Sequence, residues 1–282
     1  MNILTNTKKD YKRWEDKKLE SFTQNISDLT VEIRNPNIVS KPEKSMVISI
    51  LEQHNLVFFH INNNKYADKS FIKKLAHDLG LGDYEYDSKS DVDGLTEIKD
   101  HHDEQLSTEY IPYTNKELKW HTDGYYNDES NSILSWLLFC RSQAEKGGKN
   151  KYFDHEIAYI LFNHESKHLG DLMKSDAYCI PKNSMSDRKE IYNPVFKFFS
   201  EKLHMKFSMR EKNIIWNKDC LEAVAILKKI INDSSEFHIE KKFTEGEGVI
   251  TNNVIHMRTS FTNSENKHRL LYRLRSKKKV EV

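Results

Sequence analysis

The spacing of apolar and polar residues in the first part of the chain predicts a helix, a strand and a second helix. Residues 1–40 are polar, and VEIR at 31–34 is typical of a short strand. The segment 41–55 has apolar residues of mixed period and is long enough for a helix, whereas LVFFHI at 56–61 has the composition of a buried strand. The segment 70–82 has a helical pattern that ends at one of its glycines.

Residues 84–117 show no hydrophobic periodicity. A loop of this length inside a compact domain is often functional, so we predict that it forms a lid over an active site. It contains two pairs with the spacing of metal ligands, His101 with Asp103 and His102 with Glu104. Because nothing apolar surrounds them, a solvated polar loop is the favoured interpretation.

The second half of the chain is rich in short apolar runs. Residues 132–143 predict a strand, and 153–173 predict a helix with Asp154 as its N-cap. Further short strands are predicted within 195–199, 204–210, 246–261 and 268–275. Since these strands do not alternate with helices and no boundary stands out, we expect a single domain over 1–282. An antiparallel sandwich or barrel with helices packed outside fits this pattern.

The composition excludes several classes of protein. Hydrophobic residues make up 37% of the 282 residues and charged residues 31%, yet 13 Tyr and 14 Phe can still build a core. Lys and Arg number 44 against 43 Asp and Glu, so the net charge gives no reason to expect a nucleic-acid partner. No apolar run predicts a membrane span, and the N-terminus is too polar for a signal peptide. Three isolated cysteines, Cys140, Cys179 and Cys220, fit reduced thiols in a cytoplasmic protein.

The stretch KWHTDGYY contains the first candidate chemistry. On a strand, His121 and Asp123 would point to the same face and could share a metal ion. With 13 His in the chain, about one such pair is expected by chance. Trp120, Tyr125 and Tyr126 supply the aromatic wall that a small-molecule site needs. A wet strand edge explains the local sequence equally well.

A second candidate is His164-Glu165-Ser166-Lys167-His168, a literal HExxH zinc pattern. Two His one turn apart on a helix can bind zinc, and the Glu can act as a base. The residues between them are polar, and Gly170 weakens the helix. We therefore favour a solvated helix over a zinc site.

A distant second histidine would complete a site of two His and one carboxylate, which leaves three metal positions open. His256 lies in a strand-like stretch, and Arg269 follows thirteen residues later. Arg269 and Arg273 would share one strand face with Leu271. A guanidinium inside a barrel needs an anion, and a dicarboxylate suits its geometry. An edge strand with an outward basic face is the alternative.

Four motifs follow one another in an order that resembles one family. HTD at 121–123, GGKN at 147–150, NNVIHMR at 252–258 and HRLLYR at 268–273 are similar to motifs of iron(II)/2-oxoglutarate-dependent oxygenases, in the group containing taurine dioxygenase and clavaminate synthase. The helix and strand within 44–60 also fit the start of that family. The resemblance implies an α+β, mainly β fold, a double-stranded β-helix (jelly roll) with flanking helices.

The resemblance also implies site residues and an activity. His121, Asp123 and His256 would bind Fe(II), Arg269 would pair with the distal carboxylate of 2-oxoglutarate, and Arg273 would lie near the co-substrate. The implied reaction consumes O2 and 2-oxoglutarate, oxidises a small molecule, usually by hydroxylation, and releases succinate and CO2.

One departure and the identity of the substrate remain open at this stage. Asn150 stands where the family tends to have Thr, and its amide can donate the same hydrogen bond. Several arginines favour an anionic or amino-acid-like small molecule, although Arg210 and Arg258 could instead pair with structural carboxylates. The candidates for lining its pocket are Trp120, Tyr125, Tyr126, Asn193, Arg210 and Arg258.

Two other functions compete with the oxygenase. A jelly-roll protein could bind a ligand without turnover, and a zinc hydrolase could use His164 and His168. The oxygenase interpretation predicts a small-molecule substrate, no nucleic-acid or membrane partner, and leaves room for a homo-oligomer.

Overall fold

The computed structural model describes residues 7–35, 38–62, 68–86, 94–100, 111–182, 189–199 and 202–280. Its helices are α1 (Lys8–Glu20), α2 (Lys41–His54), α3 (Lys69–Asp78), α4 (His155–Glu165), α5 (Leu169–Leu172) and α6 (Leu221–Asp233). Its strands are β1 (Thr30–Ile33), β2 (Leu56–Ile61), β3 (Thr96–Lys99), β4 (Leu118–His121), β5 (Ser135–Ser142), β6 (Lys146–Gly147), β7 (Asn150–Phe153), β8 (Tyr178–Ile180), β9 (Ile191–Asn193), β10 (Phe196–Phe199), β11 (Lys202–Met205), β12 (Ile215–Trp216), β13 (Ile239–Lys241), β14 (Glu247–Thr251), β15 (Ile255–Arg258), β16 (Phe261–Thr262) and β17 (Leu270–Ser276).

Local sequence explains where the main helices begin and end. The Ser40 hydroxyl accepts a hydrogen bond from the Glu43 amide, and the Glu43 carboxylate accepts one from the Ser40 amide, which forms a capping box for α2. Asn55 ends α2 in the left-handed conformation, with φ of 58°. Asp154 caps α4, as predicted, by accepting from the Glu156 amide.

Two antiparallel sheets form the centre of the molecule. The larger sheet has the strand order β1-β2-β14-β5-β17-β3, in which only the edge pair β1–β2 is parallel. The smaller sheet has the order β13-β7-β15-β4. Apart from β1 and β2, neighbouring strands in both orders are not consecutive in the chain, which is typical of jelly-roll connectivity. The predicted mainly β fold with helices outside is confirmed.

Alternate residues of each strand enter different apolar layers. Phe58, Trp136 and Leu138 of the larger sheet pack with Tyr152 of the smaller sheet, and the Phe58 and Tyr152 rings lie 5.7 Å apart. The opposite face of the larger sheet packs against α2 and α3. The outer face of the smaller sheet packs against α4 and α6. The facing surfaces of the two sheets thus enclose the space in which a site can form.

Several elements differ from the sequence predictions. Helices α1 and α6 were not predicted, and β3 lies within the segment predicted to be a loop. The predicted helix 153–173 is two helices, because Ser166 adopts an extended conformation after α4. Residues 87–93 and 101–110 of the predicted lid, including the 101–104 cluster, lie outside the described residues.

Within the described ranges, no helix combines the length and apolar character needed to cross a membrane.

Candidate metal centre

Pairing of β4 with β15 brings two histidines side by side. His121 and His256 are direct partners in this register, so their side chains point to the same face of the smaller sheet. Their ring centroids are 4.3 Å apart. Asp123 follows β4, and its Oδ1 lies 3.7 Å from His121 Nε2 and 3.8 Å from His256 Nε2. One ligand atom from each of the three residues lies within 4.8 Å of the others.

Backbone carbonyls fix the orientation of both imidazoles. His121 Nδ1 lies 2.8 Å from the Lys119 carbonyl oxygen, and His256 Nδ1 lies 3.0 Å from the Val254 carbonyl oxygen. Because a carbonyl oxygen only accepts, each Nδ1 carries the proton in the neutral ring. Each Nε2 then directs a free lone pair toward Asp123. Metal-binding histidines commonly have this arrangement.

The charges suit a divalent cation. Burial alone would raise the pKa of Asp123, but the charge of Arg273, the contact with His121 and the charge of Arg275 outweigh it, so that pKa lies well below its usual range. Burial, together with the charge of His121, lowers the pKa of His256 to about 3. An ionised carboxylate and the neutral imidazole of His256 therefore face one point beside the His121 ring. Two His and one carboxylate form the donor set typical of non-haem Fe(II), so these residues fit that metal.

A tight turn directs Asp123 toward the histidines. Gly124, which follows it, has a φ of 67°, and a Cβ on this residue would lie 2.5 Å from Ile133 Cγ1. Glycine is therefore required here both by conformation and by space.

The three residues open into a cavity between the two sheets, which we call the triad cavity. It is lined by Ile98, Pro112, Leu118, His121, Asp123, Trp136, Leu138, Asn150, His256, Arg258, Arg269, Leu271 and Arg273. Apolar walls with a few convergent polar groups are typical of small-molecule sites.

Arg269 places a buried cation in this cavity with no matching anion among the described residues. Its side chain is 6% exposed, and its guanidinium lies 5.0 Å from the centre of the Phe261 ring. In the described part of the chain, its Nη1 has no hydrogen-bond partner. Burial, together with the charge of nearby Arg258, lowers the pKa of Arg269 to about 9. An incoming carboxylate would satisfy this group.

Two more buried donors lie on β7, the strand that pairs with β15. Asn150 and Tyr152 pair with Arg258 and His256 of β15, so all four side chains share the inner face. Asn150 Nδ2 and the Tyr152 hydroxyl have no hydrogen-bond partner among the described residues. Asn150 lines the cavity together with Arg269. Unsatisfied buried donors beside an unpaired arginine fit a dicarboxylate ligand.

The other two arginines of the cavity have partners. Arg273 Nη1 lies 3.3 Å from Asp123 Oδ2, whereas its Nε has no hydrogen-bond partner among the described residues. Arg258 donates to the backbone carbonyls of Pro112, Thr114 and Lys116. Arg258 therefore holds the segment 112–116 in place, while its Nε has no hydrogen-bond partner among the described residues.

Two aromatic residues predicted to line the pocket lie in the core instead. Trp120 points to the opposite face from His121, as strand alternation requires, and its ring lies 4.9 Å from the His238 ring. Tyr125 packs in the same apolar cluster, and its carbonyl accepts from the Tyr178 hydroxyl. Neither residue lines the triad cavity.

Three further pocket candidates also lie outside the triad cavity. The Tyr126 hydroxyl accepts from Arg275 Nη1 at 2.8 Å. Asn193 accepts from Lys206 Nζ at 3.0 Å and belongs to a separate cleft. Arg210 is half-buried and precedes a short 3₁₀ turn.

The HExxH histidines do not converge. His164 lies in the last turn of α4, is 46% exposed and lies 2.9 Å from Glu15 Oε2. His168 lies beyond the break at Ser166 and contacts Asp171 Oδ2 at 2.9 Å. Each imidazole has its own carboxylate partner, so the geometry does not support a zinc site.

Sequence reasoning missed one further buried residue at the centre. Asn253, in the turn before β15, hydrogen-bonds to the backbone of Asp123. Its position three residues before His256 was the only available signal, and an Asn in a polar turn is common.

Comparisons with known proteins agree with this geometry. The model of the family "Taurine catabolism dioxygenase TauD, TfdA family" matches residues 15–275. A search of curated protein sequences finds no match.

Solved structures share the fold at low sequence identity. An asparagine oxygenase in complex with Fe(II), 3-hydroxyasparagine and succinate is 13% identical, with a TM-score of 0.58 over 86% of this chain and 85% of its own. The non-haem iron oxygenase OrfP, in complex with Fe and alpha-ketoglutaric acid, is 11% identical, with a TM-score of 0.59 over 84% and 80%. PvcB from Pseudomonas aeruginosa is 14% identical, with a TM-score of 0.59 over 88% and 86%. The predicted jelly-roll fold is thereby confirmed.

Proposed function

Because the chain belongs to the taurine catabolism dioxygenase TauD, TfdA family, we propose that it is an Fe(II)- and 2-oxoglutarate-dependent dioxygenase that hydroxylates, or otherwise oxidises, a small amino-acid-like molecule. O2 is the oxidant, and succinate and CO2 are released. The observation that carries the proposal is the convergence of His121, Asp123 and His256 in a buried cavity that also holds an unpaired arginine.

His121, Asp123 and His256 would hold the iron. They leave three coordination positions for the co-substrate and O2. When bound, the iron supplies O2 activation coupled to the oxidative decarboxylation of 2-oxoglutarate. The protein holds the two imidazoles in the metal-binding tautomer and keeps Asp123 ionised.

Arg269 would pair with the distal carboxylate of 2-oxoglutarate. Asn150 takes the place of the family threonine, and its unsatisfied amide supports this role, because an amide N–H can donate where a hydroxyl would. The hydroxyl of Tyr152, on the same face of β7, is a further donor available to the same carboxylate. Arg273 would lie beside the metal end of the co-substrate through its contact with Asp123.

The primary substrate is proposed to be small and to carry an anionic group. Arg273 Nε has no hydrogen-bond partner among the described residues, and arginines outnumber the carboxylates that line the triad cavity. Two solved relatives are described with asparagine-derived or arginine-derived products, which supports an amino-acid-like substrate. The segment 84–117 remains our proposal for the lid. Cytoplasmic location and a homo-oligomer remain expectations from sequence, and Cys140, Cys179 and Cys220 are all free thiols in the structure.

The proposal is tested by anaerobic titration of the protein with Fe(II) and 2-oxoglutarate, following the weak visible charge-transfer band of the chelate. We expect the band in wild type and its loss in His256→Ala. His164→Ala is the matched control, because it removes an exposed histidine of the HExxH pattern and should leave the band unchanged.

Absence of the band in wild-type protein would reject the proposal. A band without succinate release under O2, even after long incubation, would favour a binding protein without turnover. Loss of the band in His164→Ala but not in His256→Ala would move the metal to the HExxH segment.

A further inference from the structure

A single buried amide connects the strands that carry the metal ligands. Asn253 is fully buried in the turn between β14 and β15, and its φ is 58°. Asn tolerates this left-handed conformation better than most residues. The side chain therefore stands at a fixed position between the two sheets.

All hydrogen-bonding capacity of this amide is used on its surroundings. Asn253 Oδ1 accepts from the Asp123 amide at 2.9 Å and from Trp136 Nε1 at 3.2 Å. Asn253 Nδ2 donates to the Asp123 carbonyl at 2.9 Å and to the Ile133 carbonyl at 2.7 Å. Asp123 is thus held through both backbone groups, while its carboxylate stays free to face the histidines.

The same residue is linked to His256 in two ways. The next residue, Val254, provides the carbonyl that accepts from His256 Nδ1. Trp136, which donates to the Asn253 amide, packs its ring 4.7 Å from the His256 ring. The positions of Asp123 and His256 therefore depend on the Asn253 side chain, which contacts neither the Asp123 carboxylate nor His256 Nε2.

We propose that Asn253 is a positioning residue of the metal centre, which sets the direction of the Asp123 carboxylate and the orientation of His256. This inference rests on the proposed iron site. Without the amide, the Asp123 N–H and the Ile133 carbonyl would lose buried partners, and the turn that directs Asp123 would relax. Loss of such outer contacts typically weakens metal binding by about 10–100-fold.

The neighbouring Asn252 provides a matched control. It is also buried in this turn, but its Nδ2 donates to Asn55 Oδ1 at 3.1 Å, away from the triad. Asn252→Ala should therefore lower stability without a specific effect on the metal. Asn253→Gly removes the amide and keeps a residue suited to the left-handed φ.

The experiment is anaerobic titration of metal-free protein with Fe(II), and with Co(II) as a spectroscopic probe, in wild type and both variants. We expect the dissociation constant to rise about 10–100-fold in Asn253→Gly. The Co(II) visible spectrum should also change, because the ligand geometry differs. Asn252→Ala should stay within about threefold of wild type, even if both variants lose similar thermal stability.

If Asn253→Gly does not fold, Asn253→Asp takes its place. The carboxylate keeps the size and the acceptor but cannot donate to the two carbonyls. Its added negative charge would by itself strengthen cation binding, so weaker binding must come from lost orientation. An unchanged dissociation constant and Co(II) spectrum in the folded variant overturns the inference. Failure of wild type to bind either metal overturns the proposed function instead.

Discussion

At the scale of single residues, Arg269 is the most informative group. It is a buried cation beside apolar residues, and its pKa is lowered to about 9 by burial, with no carboxylate among the causes. Such a group destabilises the ligand-free protein, because desolvation is not offset by an ion pair. A dicarboxylate entering the cavity would offset it.

Arg269→Met should therefore change stability and binding in opposite directions. We expect the ligand-free variant to unfold at a higher denaturant concentration than wild type. Its unfolding free energy should be larger by on the order of 1 kcal/mol. The half-saturation concentration of 2-oxoglutarate should rise by ~30-fold or more, while Fe(II) binding stays unchanged. Urea unfolding and titration of the visible band measure the two effects.

Arg141→Met is the control for this substitution. Arg141 is partly exposed and pairs with Glu245 at 2.6 Å. Its loss should change the half-saturation concentration of 2-oxoglutarate by no more than about threefold and the unfolding free energy by no more than about 1 kcal/mol. Destabilisation of Arg269→Met together with unchanged 2-oxoglutarate binding would contradict the assignment.

At the scale of elements, α1 is joined to α4 by a buried ion-pair group. Lys18 Nζ lies 2.6 Å from Asp154 Oδ2 and 2.7 Å from Glu156 Oε2, and Lys18 is 6% exposed. Asp154 is also the N-cap of α4, so the pair stabilises the start of a helix that packs against the smaller sheet.

Lys18→Met should cost about 3–5 kcal/mol of unfolding free energy, because it leaves two buried carboxylates without their cation. Lys74→Met removes an exposed pair with Asp78 at 2.6 Å and should cost at most about 1 kcal/mol. Urea unfolding of the two variants compares them directly. Equal losses would show that α1 does not depend on this contact.

The same ion pair predicts a dependence on pH. Burial alone would raise the pKa of Glu156, but Lys18 outweighs it, so the pKa is lowered from its ordinary 4.5. A carboxylate with a lowered pKa in the folded state stabilises it above the ordinary pKa, and this stabilisation is lost as the pH falls. Between pH 4.5 and 2, wild type should lose stability more steeply than Lys18→Met, whereas Lys74→Met should follow wild type in urea unfolding.

The sequence predicts elements well where one pattern dominates and poorly where tertiary packing decides. β2 is a continuous apolar run, and α2 is long enough for a helix although its apolar residues are of mixed period; both were predicted. Helix α1 was missed because its polar residues dominate, and its burial depends on contacts such as that of Lys18. Strand β3 was missed because its pairing with β17 is not visible locally.

The candidate site shows the same limit at finer scale. Spacing and motif order were enough to select His121, Asp123, His256 and Arg269, all of which line one cavity. Trp120 was predicted to line the pocket, although adjacent residues of a strand point to opposite faces and Trp120 directly precedes His121. The contacts of Asn253 could not be predicted, because they join residues about 120–130 positions apart.

At the scale of the whole molecule, the proposed metal centre lies on a framework whose contacts are all made by protein groups. Both histidines are held by backbone carbonyls, and apolar layers cover both faces of the larger sheet and the outer face of the smaller one. Metal-free protein should therefore keep its secondary structure.

Removal of metal with a chelator should leave the far-ultraviolet circular dichroism spectrum unchanged. Adding Fe(II) at about a hundredfold excess over its dissociation constant should stabilise the fold by ~2.7 kcal/mol. For a protein of this size that corresponds to a rise in Tm of ~5 °C. Loss of the circular dichroism signal of helices and strands after chelation would mean that folding and metal binding are coupled.

The unpaired state of Arg269 has a consequence for how such proteins diverge. A descendant that no longer used a dicarboxylate would gain stability by replacing this arginine with an apolar residue, so drift alone would tend to remove it. Under the proposed function, its presence in a buried position is what continued selection for co-substrate binding would maintain. Among duplicated copies of this gene, the residue at this single position should separate working enzymes from folds that have been reused for another purpose.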